Sequence, residues 1–174
     1  MSNLRLINET LVTSATATVN VTDVFSSDFD IYKITFTDME IQTDDYTQMR
    51  LINSSGSVVS ASNYDNASQI MYSHTSFFEG KNTNDSKFYY LNYLYPAGTD
   101  KGNGNVIYLF NPYSSSSYTF LSNQSSGQAD GTGNYNFKGI GVLKQTASMT
   151  GFSIFRTGNI DNIKIRTYGL RVDS

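Results

Sequence analysis

Apolar and polar residues alternate along this chain with a period of two, and Ser, Asn, Asp or Gly interrupts the pattern every few residues. Such a pattern sends successive side chains to opposite faces of a strand, and the frequent turn residues keep the strands short. In "DIYKITF" Tyr32, Ile34 and Phe36 share one face, and Lys33 and Thr35 share the other. "QMRLINSSGS" sets Met49 and Leu51 opposite Arg50 before Ser54, Ser55 and Gly56 close the strand, and Val58 and Val59 begin its return. "SQIMYSHTSFF" and "KFYYLNYLY" carry the aromatic and β-branched side chains of strands, with Asn82 to Lys87 expected as a polar loop between them. "GNGNVIYLF" opens on a glycine turn and enters a run, Val106 to Phe110, that is apolar enough to need cover on both faces.

"KGIGVLKQ", "TGFSIF" and "NIKIRTYGLRV" supply the closing strands, with Gly169 expected at a bulge. "NLRLINETLVTSATATVNVTDVF" reads as one strand or two, and "SSGQADGTGNYNFKG" as a long loop able to cover the Val106–Phe110 run. Helical periodicity is nearly absent and no block repeats. The expected fold is therefore all-β: one antiparallel β-sandwich domain of jelly-roll type over residues 1–174, with 1–27 as an N-terminal strand or arm.

Composition narrows the function. Hydrophobic residues at 39% supply a core, while charged residues, at 16%, fall below the usual value of about 25% and leave a hydroxyl- and amide-rich surface. A net charge of −3 without a basic cluster argues against nucleic-acid binding, which depends on releasing counterions from phosphates. The absence of cysteine excludes disulfides and thiolate metal sites. No apolar run approaches the ~20 residues of a membrane-spanning helix, and "MSNLRLINET" lacks the apolar core of a signal peptide, so synthesis in a cytoplasm without membrane insertion is expected.

Candidate chemistry is sparse. His74 is the only histidine, and no G-x-S-x-G frames a serine, so a catalytic triad has little basis. Asp28 with Asp30, and Asp44 with Asp45, have the spacing of paired carboxylates but sit at strand ends, where Asp side chains make turns. "GNGN" and "GTGN" lack the strand-to-helix setting of a phosphate cradle and read as turns. The sequons at Asn8, Asn20, Asn53, Asn66, Asn84 and Asn123 follow from composition. No cofactor, metal or enzymatic activity is expected. The aromatic supply, 13 Tyr and 11 Phe, is larger than a core requires, and Tyr89, Tyr93, Tyr95, Tyr113 and Tyr118, with Tyr90, are the candidates for protein or glycan contact.

"FDIYKITF", "MRLINSSGS", "SNYD", "VIYLFNPYSSSSYTF" and "IKIRTYGLRV", in this order and spacing, resemble a β-sandwich domain of small virion proteins of tailed phages, particularly those of marine cyanobacteria. The resemblance runs from Asp28 onward and carries over no catalytic residue. It implies a virion accessory protein made in the host bacterial cytoplasm, either a capsid decoration or a part of the tail or fibre. Its implied partners are other virion proteins and further copies of itself. In that pattern Asn111 to Ser117 resembles a hairpin turn, with Pro112 stopping the strand and the serines solvating the bend. Decoration ranks first, because a chain without stalk or coiled coil suits a lattice better than a fibre tip. The alternative is a tail-fibre-associated adhesin for a host-surface glycan, and a polysaccharide-cleaving enzyme, supported only by the Asp pairs, ranks last.

Overall fold

The computed structural model describes residues 3–73, 77–94, 103–129 and 133–171. Its strands are β1 (Leu4–Val12), β2 (Thr16–Val21), β3 (Ile31–Ile41), β4 (Asp45–Asn53), β5 (Tyr64–Tyr72), β6 (Phe78–Asp85), β7 (Phe88–Leu94), β8 (Asn103–Phe110), β9 (Thr119–Ala129), β10 (Gly133–Leu143) and β11 (Met149–Leu170). Every pair is antiparallel, and no helix occurs among the described residues. The path runs β6-β5-β10-β9-β8-β3-β11-β4-β7, with β1 and β2 on the remaining side of β11.

One strand organises the rest. β11 is 22 residues long; its first half pairs with β4 and β2, and its second half with β3 and β1. The β4 pairing ends at Phe155, the register of β2 slips between Phe155 and Ile160, and Gly158 takes a φ of 77° there, so the strand turns a corner and serves both layers of the sandwich. Arg156 is buried at that corner and donates through Nη2 to the carbonyls of Thr43 and Asp45, while the Asp45 carboxylate accepts the Thr157 N–H at 2.9 Å. Burial pulls the guanidinium pKa down to about 10, opposed by the nearby Asp45 charge.

The inward faces follow the alternation: Tyr32, Ile34, Phe36, Ile107, Leu109, Ile163 and Ile165 are all buried. Each such aliphatic or aromatic side chain contributes roughly 1.5–3 kcal/mol by leaving water. Buried phenols keep partners. Tyr64 Oη accepts the Leu51 N–H at 3.1 Å and donates to the Val59 carbonyl at 3.0 Å, and Tyr32 is held the same way by both backbone groups of Ser26.

β7 ends the strand path, yet its backbone is not left bare. It packs across onto β5, β9 and β10, and inward polar side chains of β5, β8 and β9 take up its polar groups. Ser68 Oγ donates to the Tyr90 carbonyl at 3.0 Å, and Asn66 bridges the Lys87 carbonyl and the Tyr89 N–H. Asn105 and Asn123 both donate to the Leu91 carbonyl, at 3.1 and 2.8 Å. Side-chain amides thus stand where a further strand would have paired, which accounts for buried asparagines in a sandwich interior. Two of them, Asn66 and Asn123, belong to sequons.

Several sequence expectations change. The long N-terminal stretch forms two strands, both laid along β11. Asn82 to Asp85 belong to β6, because pairing with β5 outweighs their polar character. The return after Gly56 is a single Ile52–Val58 bridge, and the next strand begins at Tyr64. "TGFSIF" and "NIKIRTYGLRV" are one strand rather than two. Gly169 is no bulge: it pairs in register with Arg5 and Tyr32, and a Cβ there would come within 2.5 Å of the Phe29 ring. The "SSGQADGTGNYNFKG" stretch is mainly strand, with β9 reaching Ala129 and β10 starting at Gly133, so its described residues extend the sheet and do not cover Val106–Phe110. "GNGN" is likewise not wholly a turn, since β8 begins at Asn103.

Candidate binding surfaces

The nominated aromatics fall into three groups. Tyr89, Tyr90 and Tyr93 are half-buried around Tyr46, with ring centroids 5.2, 5.0 and 4.8 Å from its own. Burial pushes the Tyr46 hydroxyl up to about 12. Tyr93 donates to the Asp44 carboxylate at 2.8 Å, and the Tyr90 ring occupies the space a Cβ on Gly80 would need. These rings fill the volume between β4/β7 and the β5–β6–β10 side. Tyr113 and Tyr118, by contrast, are exposed in the segment 111–118 between β8 and β9. Tyr95 and His74 lie outside the described residues.

The Asp44 and Asp45 carboxylates are used structurally. Asp44 and Asp45 hold Tyr93 and Thr157, and the Asp28 N–H donates to Ser26 Oγ in the loop before β3. Among the described residues no cluster of three or more His, Asp or Glu side chains could hold a metal ion. The serine run behaves as a solvated bend: Ser114 Oγ accepts the N–H groups of Ser116 and Ser117 at 3.3 and 3.1 Å.

Strand register exposes a surface that no short motif announces. On the outer face of the larger layer, Leu4, Leu170, Ile31, Phe110, Phe120 and Val142 stand opposite one another in a row across β1, β11, β3, β8, β9 and β10. Two residues further along these strands lies a second row: Leu6, Tyr168, Lys33, Tyr108, Ser122 and Ile140. Ile140 is 67% exposed and Phe120 46%. Six strands at ~4.8 Å spacing span about 24 Å, so the two rows cover on the order of 350 Å², a patch size often tied to function. The outer half of Val106–Phe110 lies in this face, half-buried by its neighbours and without the expected cover among the described residues.

The other end of the same face is polar. The fourth row runs Leu11, Lys164, Thr37, Gly104, Ser126, Asn136 and Met71. An open trough of about 690 Å³ lies over its last four members and their neighbours Tyr72, Ser73, Asn103, Gly127, Asn134 and Tyr135, and none of the described residues that line it is charged. Asn136 Nδ2 donates to Ser126 Oγ at 2.7 Å, and the Asn134 N–H donates to Ser73 Oγ at 2.9 Å. A second trough of about 550 Å³ sits over Ser122, Ile140 and Ala67, edged by Lys138, Glu79 and Lys81.

No family model matches the chain, and no curated protein does. Among solved structures it is similar to the CBM2 module of the evolved Dit of Lactobacillus casei BL23 phage J-1, at 7% identity over 98% of each chain, with a TM-score of 0.31. So loose a likeness carries no argument about what this chain binds.

Sequence reasoning passed over Phe120, Ile140 and Gly104. Ile140 between Gly139 and Gly141 did carry a signal, since an isoleucine flanked by glycines on a strand must find its partners outside its own strand. The rows themselves are invisible in sequence, because they depend on which strands pair and in what register.

Proposed function

We propose that this chain is a non-enzymatic structural subunit of a bacteriophage virion, a capsid decoration or accessory protein, that docks through the apolar end of its outer sheet face. The observation that carries this reading is the six-residue apolar row from Leu4 to Val142, continued by Tyr108, Tyr168 and Ile140 and bordered by the exposed Tyr113 and Tyr118. Lys33 is the one charged residue in the two rows, so the band suits a subunit that stays soluble and then buries surface while stranding little charge. The band alone is smaller than the ~800 Å² per partner of a standard interface, so the 111–118 segment belongs to the contact as well. Further copies of the chain or a neighbouring virion protein supply the opposing surface. The use of the Asp44 and Asp45 carboxylates to hold Tyr93 and the Thr157 N–H favours binding over hydrolysis.

The test is assembly. Light scattering on the purified chain and rebinding to particles stripped of it are compared between the parent and a Phe120→Lys/Ile140→Lys variant, whose changes point outward and leave the core alone. Association by the parent and its loss in the variant are expected. A parent that stays monomeric at high concentration and does not rebind particles refutes the proposal.

A further inference from the structure

β6 stands at one end of the strand path and carries its charges symmetrically. Backbone N–H and C=O groups of a strand point to its two sides, and β6 gives one side to β5. On the other side no strand pairs with it among the described residues. Phe78 marks that edge directly: it pairs with Ile70, which is only 4% exposed and shares its face, yet Phe78 itself is 52% exposed. The register with β5 is unbroken from Phe78 to Asn82, after which it shifts and Asn84 takes a φ of 54°. The regular stretch is therefore centred on Gly80. Glu79 and Lys81 flank that centre on the outer face, and both are exposed. Neither forms an ion pair with a described residue.

We propose that two copies of the chain pair through β6, antiparallel about a two-fold axis at Gly80. Such an axis sets Glu79 opposite the partner's Lys81, and Lys81 opposite the partner's Glu79. Unlike charges directly opposed across two strands stabilise the pair, and like charges destabilise it. Moving the axis to Glu79 or to Lys81 would set that charge against its own copy, so the two side chains select the register as well as the partner. The same charges blunt the edge towards strands that lack the pattern. Phe78 comes diagonal to the partner's Gly80, over which the Tyr90 ring packs, and so its exposed ring gains aromatic cover. A five-residue ladder spans only about 17 Å, less than a standard interface, and the dimer is expected to dissociate on dilution. The axis runs perpendicular to the sheet, so both docking bands face the same way and a lattice would hold the pair at two points. The pairing itself does not rest on the docking proposal.

Charge exchange is the decisive test. The variants are made in the Phe120→Lys/Ile140→Lys background, where association through the docking band is lost and only the β6 pair remains, and sedimentation velocity follows them over a wide range of concentration. The background protein is expected to pass from monomer to dimer as concentration rises. Glu79→Lys and Lys81→Glu each place two like-charge contacts across the axis, and each should weaken the dimer at least tenfold. Both positions are exposed, so the melting temperature of the dilute monomer should not move. An equal mixture of the two single variants restores unlike contacts at both places, as does the double exchange Glu79→Lys/Lys81→Glu, and each should recover the dimer. A background protein that stays monomeric, single variants that dimerise undiminished, or a loss that neither the mixture nor the double exchange repairs overturns the assignment. Rebinding to stripped particles reads the docking band separately, so the two proposals can fail independently.

Discussion

Asn105 and Asn123 offer a direct test of how the β7 backbone is satisfied. Both amides donate to the Leu91 carbonyl, and in both the Oδ1 atom is buried without a hydrogen-bond partner. Replacing either one by the similarly sized leucine removes one of two bonds to that carbonyl, a loss of about 1 kcal/mol, and also removes an unsatisfied buried oxygen, a gain of similar size. Each single change, Asn105→Leu or Asn123→Leu, is therefore expected to stay within about 1 kcal/mol of the parent. The double change is different in kind, because the Leu91 carbonyl then has no donor from either amide and its full desolvation cost of about 1–3 kcal/mol appears at once. A positive coupling of at least about 1 kcal/mol beyond the sum of the singles is expected. Urea unfolding of the four proteins at constant m-value measures it. Additivity within about 0.5 kcal/mol would refute the claim that these amides share the work of closing the β7 backbone.

Other positions are expected to respond as follows. Gly151→Ala should destabilise by about 2 kcal/mol or more, since its Cβ would lie 2.2 Å from the Val21 carbonyl oxygen, whereas Gly104→Ala should be neutral or stabilising by about 0.5–1 kcal/mol; thermal unfolding of the pair compares them. Burial raises both Tyr46 and Tyr64 to about 12 from an ordinary 10.0, so the folded chain holds these protons more tightly than the unfolded chain. Their contribution is fully present below pH ~10 and is lost as pH rises from about 10 through about 12; denaturant titrations across that window should show falling stability, with a shallower fall in Tyr64→Phe, and a flat profile would contradict the burial of these phenols.

How far the sequence alone reaches can be seen residue by residue. The alternation in "DIYKITF" determined that Tyr32, Ile34 and Phe36 would be buried on a strand, because period two is a property of the backbone and needs no partner to be read. The all-β class follows from the same local physics repeated along the chain. The turn at Asn111 to Ser117, which the family resemblance implied, lies between β8 and β9, where neighbours in sequence such as Pro112 and the serines set the bend. What failed was whatever depends on pairing. Asn82 to Asp85 look like a loop until β5 lies beside them, and Gly169 looks like a bulge until the Phe29 ring packs on it. Tyr89 and Tyr93 look available until Tyr46 arrives from another strand to pack among them. The apolar row does not exist in the sequence, because it is assembled from one residue per strand and only the register of the antiparallel pairs brings those residues into line.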